Sequence, residues 1–208
     1  MKNIVVLVSG GGTNLQALLD AQKRGEINGG KITAVISSAP GVFALERASS
    51  AGVPGFVINR KEYAGRAEFT DAILHKLAEL NADLIVLAGF LYILSPAFID
   101  CYPNRVINVH PALIPSFCGD GFYGLKVHEK ALEYGVKVTG ATVHFVSAVA
   151  DAGPIIAQRA VEIKEGDTPE ILQKRVMEQA EWKILPIAVS LFCEDRLTVN
   201  GRIVHIKD

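Results

Sequence analysis

Cysteine is scarce in this 208-residue chain, and what there is cannot staple it. Cys101, Cys118 and Cys193 are odd in number, far apart and form no Cys-x-x-Cys pair. A disulfide framework and a zinc ribbon are excluded, and a reducing compartment is expected. An excess of charge of one sign is missing too. Lys and Arg total 21 against 22 Asp and Glu, a net charge of −1, which leaves no broad basic face for nucleic acid but permits a local phosphate pocket. No apolar run is long enough for a membrane. The strongest, Leu84 to Leu94, is broken by Gly89 and reads as a buried strand plus a loop. Met1-Lys2-Asn3 leads straight into a strand, without the charged start, apolar stretch and cleavage site of a signal peptide. No cluster of ligating side chains calls for a metal. The expectation is a soluble, cytoplasmic protein with no membrane or nucleic-acid partner.

What is present is a chain half apolar in composition, long enough to bury a full core. Asn3 to Ser9 is a β-branched run ending in glycines, as in a strand buried on both faces. Helical and strand patterns then alternate: helix 13–24, strand 31–37, helix 43–51, strand 55–58, helix 66–80, strand 83–88, a helix opened by Ser95-Pro96, and strand 105–109. This predicts an α/β fold with a doubly wound, mostly parallel sheet. From about residue 112 the pattern changes to a Gly-rich loop (118–124), a helix (125–134) and two longer strands (138–146 and 155–163). A long helix follows from Thr168-Pro169, which Pro186 is expected to kink or end. The strands 196–199 and 202–205 close the chain as a hairpin through Asn200-Gly201. Without repeats or a linker, residues 1–208 read as one domain, with a nucleotide-binding half (1–111) and a closing half (112–208).

Three stretches carry chemistry. Ser9-Gly10-Gly11-Gly12-Thr13-Asn14 joins the first strand to the first helix, where glycines let the backbone approach an anion and the helix end offers free amides. A dinucleotide fingerprint fails: Leu15 stands where the third glycine belongs, and no acidic residue lies near Ser37-Ser38. A merely tight turn would use the same glycines. In Arg105 to Pro111, Asn108 and His110 project the same way from a strand, at the carboxyl end where open α/β sheets place ligands. An amide beside an imidazole suits a carbonyl gaining negative charge. Asp151, in a small-residue loop, could hold that imidazole protonated near neutral pH, or could simply bond its own turn. His75 and His128 read as solvated helix residues, His205 sits near the C-terminus, and His144 reads as structural.

Taken together, Ser9 to Leu18, Leu87 to Pro96, Asn108 to Pro115 and Val143 to Ile156 resemble the phosphoribosylglycinamide formyltransferases. The resemblance implies a Rossmann-like formyltransferase fold and transfer of a formyl group from 10-formyltetrahydrofolate to glycinamide ribonucleotide, without a metal. It implies that Gly12, Thr13 and Asn14 hold the nucleotide phosphate and that Glu181 lies near the substrate amine. Arg66, Leu91, Tyr92, Ile93, Leu94 and Asn108 would contact the folate, and Asn108, His110 and Asp151 would form the catalytic set. Three departures stand out. Tyr92 replaces a frequent arginine, the 118–124 loop is longer than usual, and one extra residue falls near Glu181. Rivals are a formyltetrahydrofolate deformylase, which would carry an extra N-terminal domain, and a non-catalytic nucleotide-binding module, which would leave Asn108, His110 and Asp151 without work. A methionyl-tRNA formyltransferase would need a basic C-terminal domain. Monomer and homodimer stay open.

Overall fold

The first strand, β1 (Lys2–Val8), feeds two cores at once. Ile4, Val6 and Val8 enter one, and Val5 and Leu7 enter the other, because alternate side chains of a strand point to opposite faces. In the computed structural model, which describes residues 1–207, β1 is followed by α1 (Thr13–Lys23), β2 (Gly30–Ser37), α2 (Phe43–Ser50) and β3 (Gly55–Val57). A 3₁₀ turn, α3 (Arg66–Glu79), β4 (Leu84–Leu87), α4 (Pro96–Cys101) and β5 (Val106–His110) complete this half. The five strands pair in parallel in the order β3-β2-β1-β4-β5. The chain winds outward from β1 to β3, then restarts at β4 on the other side of β1. Loops leaving β1 and β4 therefore diverge, opening a crevice at their carboxyl ends.

The second half extends the same sheet. After α5 (Leu125–Tyr134), β6 (Val138–Phe145) runs antiparallel to β5, and β7 (Ile155–Glu162) runs antiparallel to β6. Then come α6 (Pro169–Val176), a π-helical turn (Met177–Glu181), α7 (Trp182–Cys193) and the hairpin of β8 (Leu197–Asn200) and β9 (Ile203–Ile206). The hairpin joins β7 through the single pair Ile155–Ile203, giving nine strands in the order β3-β2-β1-β4-β5-β6-β7-β9-β8. The α/β class, the mostly parallel first half, the long helix and the hairpin are as expected.

One expectation near the long helix is corrected and another is located. Pro186 does not end it, since α7 continues to Cys193. Proline removes one amide and crowds the carbonyl four residues back, here that of Trp182, which directly follows the π turn. The helix departs from regularity upstream of the proline. The extra residue noted near Glu181 falls inside that turn, and a π turn is how a helix absorbs one more residue. Thr168 caps α6 by accepting a hydrogen bond from the Ile171 amide at 3.3 Å. Among the described residues no helix is long and apolar enough to cross a membrane.

Candidate active site

The crevice at the ends of β1, β4 and β5 is a cleft of about 450 Å³. At one end the loop between β1 and α1 reaches the cleft through Asn14, whereas Gly12 and Thr13 do not line it. Gly12 has φ of 72°, and a Cβ there would stand 2.7 Å from the Ala44 Cβ of α2, so only glycine fits. No side chain caps α1 and no acidic residue lies in its first turn, so its leading amides are left for a ligand. Thr13 Oγ1 donates to Met177 Sδ at 3.6 Å. The buried Asn14 donates from Nδ2 to Glu181 Oε2 at 2.6 Å, while its own Oδ1 has no partner. The loop, α1 and the π turn thus converge on one carboxyl. Burial raises the Glu181 carboxyl to about 7, although the Asn14 bond pulls it down.

The middle of the cleft is built on β5 and β6. Asn108 and His110 leave β5 two residues apart, as their spacing predicts. Antiparallel pairing sets Asn108 opposite His144, and Asn108 Nδ2 lies 3.3 Å from His144 Nε2. His144 Nδ1 donates to the Phe145 carbonyl at 2.8 Å, which leaves Nε2 facing both the Asn108 amide and Asp151. Asp151 completes the group, with Oδ2 3.5 Å from His110 Nδ1 and Oδ1 3.5 Å from His144 Nε2. The Gly119 amide donates to Asp151 Oδ2 at 2.9 Å. Asp151 adopts φ of 51°, a left-handed conformation costing on the order of 1–3 kcal/mol. Two residues on, a Cβ at Gly153 would overlap the Phe145 carbonyl oxygen at 1.7 Å, so close packing of this loop on β6 fixes the aspartate.

Asp151 raises the His110 pKa, as expected of a paired carboxylate, but burial acts against it. Burial lowers the His110 pKa below its ordinary value, outweighing the rise caused by Asp151 and the Phe117 carbonyl. The ring donates from Nε2 to that carbonyl at 2.8 Å, so Nδ1 is the nitrogen that faces Asp151. Burial also pushes the Asp151 carboxyl up, but His144, His110 and the Gly119 amide together hold it below the usual range. Burial and the Asp151 carboxylate thus pull the His110 pKa in opposite directions, and burial is the stronger.

The other end is apolar. Leu91 and Ile93 line the cleft with 63% and 56% of their surfaces exposed, beside Tyr92 and the buried Leu94. Tyr92 packs edge-on against Phe69 and Phe90, with ring centroids 5.5 and 5.9 Å apart. Arg66, at the start of α3, is exposed and does not line the cleft. The long 118–124 loop contributes Asp120, Phe122 and Tyr123 to the walls.

Two histidines are misjudged from sequence. His128 is not solvated but fully buried on α5. It lines the cleft, neither ring nitrogen has a partner, and burial with the nearby His110 lowers its pKa to about 4. Its position beside Val127 and Ala131 on the buried face of α5 was the signal that could have found it. His144 faces Asn108 and Asp151 directly. No group of three or more His, Cys, Asp or Glu side chains is placed to hold a metal among the described residues.

Comparison with known proteins follows this geometry. The formyl transferase family matches residues 2–189. The chain is 39% identical over 198 residues to the phosphoribosylglycinamide formyltransferase of Escherichia coli (strain K12), covering 95% of this chain and 90% of that protein. It is 44% identical to the human trifunctional purine biosynthetic protein adenosine-3, covering 99% of this chain but only 20% of that much longer protein. The crystal structure of glycinamide ribonucleotide transformylase 1 from Symbiobacterium toebii superposes with a TM-score of 0.94 at 44% identity, covering 100% of this chain and 95% of that one. A formyltetrahydrofolate deformylase from Pseudomonas syringae superposes at 0.87 with 28% identity, and 66% of that chain is covered. The chain belongs to the formyl transferase family and stands within it among the phosphoribosylglycinamide formyltransferases.

Proposed function

We propose that this protein transfers the formyl group of 10-formyltetrahydrofolate to the amine of glycinamide ribonucleotide, a step of purine biosynthesis. The observation that carries the reading is that one cleft joins Asn14, from the first turn of the uncapped α1, with the buried Glu181 carboxyl and the Asn108–His110–His144–Asp151 group. Gly12, Thr13 and Asn14 seat the phosphate on backbone amides and α1's dipole. Glu181 then lies within reach of the glycinamide amine. The exposed Leu91–Tyr92–Ile93 shelf suits a flat heteroaromatic ring, which would cover apolar surface otherwise open to water.

The mechanism we propose is direct transfer. The folate supplies an activated formyl carbon and a nitrogen that leaves. As the amine adds to that carbon, the carbonyl electron pair moves onto oxygen. Asn108, which has a second N–H beyond the one facing His144, donates to the developing oxyanion. His110 takes the amine's proton at Nδ1, directly or through water, and Asp151 stabilises the imidazolium so formed. The same proton passes to the departing nitrogen as its bond to carbon breaks and the carbonyl re-forms. Burial, which lowers the His110 pKa, favours this role, since only a neutral ring can accept the proton.

The test is consumption of 10-formyltetrahydrofolate, followed by absorbance with and without glycinamide ribonucleotide. Nucleotide-dependent consumption is expected. Equal consumption without the nucleotide would indicate hydrolysis, the deformylase reaction, and none in either case would leave a binding protein.

A further inference from the structure

We propose that Arg47, which lies outside the cleft on α2, is a positioning residue for the nucleotide phosphate and acts by holding the glycine loop rather than by touching the ligand. The inference rests on the reading that this loop seats the phosphate. Its starting point is a deficit. The loop from Ser9 to Asn14 has no charged side chain, and the cleft beside it, lined by Asn14, carries Asp120, Asp151 and Glu181 but no lysine or arginine, although the nucleotide brings a phosphate dianion. Backbone amides must therefore do most of the binding, and their aim decides how well they do it.

Arg47 is tied to the loop at two points. Its Nε donates to the Gly11 carbonyl at 2.8 Å, and Nη1 donates to Gln16 Oε1 on α1 at 3.0 Å. The guanidinium sits over the Phe43 ring, 4.7 Å from its centroid. Beside it the Ala44 amide donates to the Gly10 carbonyl at 3.2 Å, and Ala44 leaves Gly12 no room for a Cβ. Helix α2 thus contacts Gly10, Gly11 and Gly12 in succession. In a trans peptide the carbonyl and the following amide point in opposite directions. Drawing the Gly11 carbonyl toward Arg47 therefore turns the Gly12 amide away from α2 and frees it to donate to an anion. A cation on that carbonyl also polarises the peptide and strengthens its N–H as a donor. Arg47 makes no ion pair among the described residues, so its charge remains uncompensated behind the loop.

The experiment compares wild type, Arg47→Met and Arg47→Lys in the formyl-consumption assay, varying each co-substrate in turn. Methionine keeps the apolar stem over Phe43 and removes the charge and the fork. Arg47→Met is expected to raise KM for the nucleotide roughly tenfold, the scale of a lost charge-assisted hydrogen bond, while kcat and KM for the folate stay within about twofold. Millimolar guanidinium chloride should restore part of the loss, and Arg47→Lys, with charge but no fork, should fall between. An unchanged KM for the nucleotide, or equal losses for both co-substrates, would overturn the proposal. If Arg47→Met does not fold, Arg47→Lys alone decides, and wild-type nucleotide KM in that variant overturns it. Wild-type protein showing no nucleotide-dependent turnover would refute the underlying reading instead.

Discussion

Asp151 stands between two imidazoles on a backbone that disfavours most side chains. Asparagine tolerates the left-handed region, so Asp151→Asn removes the charge without disturbing the turn. We expect turnover to fall roughly a hundred- to thousand-fold, the cost of losing one electrostatic partner of a developing charge, with the melting temperature little changed. Because Asp151 raises the His110 pKa against burial, the acid limb of activity should also move to lower pH in this variant. A limb that stays put would separate the two residues. His128 offers a stability test. Its folded pKa of about 4 lies below the ordinary 6.5, so the stability tied to its neutral form is present above 6.5 and lost as pH falls through 4, by up to about 3 kcal/mol. His128→Leu should therefore resist acid unfolding better than wild type, read as a lower midpoint pH. Glu181 works in the opposite direction. Raised to about 7, it favours folding below 4.5 and loses that contribution as pH rises through 7. Glu181→Gln should gain stability at pH 8 relative to pH 4. At this scale Asn108 and His110 were legible because strand periodicity is local. His144 was not, because its role depends on a pairing register between β5 and β6 that no stretch of sequence states.

Helix α6 and the π turn after it present Gln173, Met177 and Glu181 to one cleft, four residues apart each time. In a regular α-helix of 3.6 residues per turn, successive four-residue steps drift around the axis. The wider π turn between Met177 and Glu181 offsets that drift. Deleting the exposed Gln179 should restore a continuous α-helix without unfolding the protein, yet rotate Glu181 away from Asn14. The expected result is a melting temperature near wild type with KM for the nucleotide raised tenfold or more. Full activity in the deletion variant would mean that the turn has no part in the site. The surplus residue was visible in the sequence, but its conversion into a π turn was not, since that depends on how the helix is pinned at both ends. Pro186 misled for the same reason. A proline costs a helix one hydrogen bond, and burial of Leu185, Ala188 and Val189 around it holds α7 together across the gap.

The alternation of elements made the parallel half of the sheet readable, along with the placing of the cleft at its carboxyl ends. Strand order across the whole sheet was not readable, because β6 and β7 could pair wherever an edge was free. The terminal hairpin is the clearest case. Its strands were evident from Asn200-Gly201, whereas its attachment beside β7 depends on one residue pair. Stability should grade accordingly. In hydrogen exchange, amides of β8 and β9 should exchange well before those of β1, β2 and β4, and uniform protection would show a firmer junction than one pair suggests.

The buried carboxyl of Glu181 also bears on how the whole molecule meets its ligands. Raised to about 7, Glu181 titrates within the neutral range. A co-substrate that selects one protonation form of it must exchange protons with solvent as it binds near pH 7. Calorimetric heats of nucleotide binding should then change linearly with the ionisation enthalpy of the buffer, and Glu181→Gln should flatten that line.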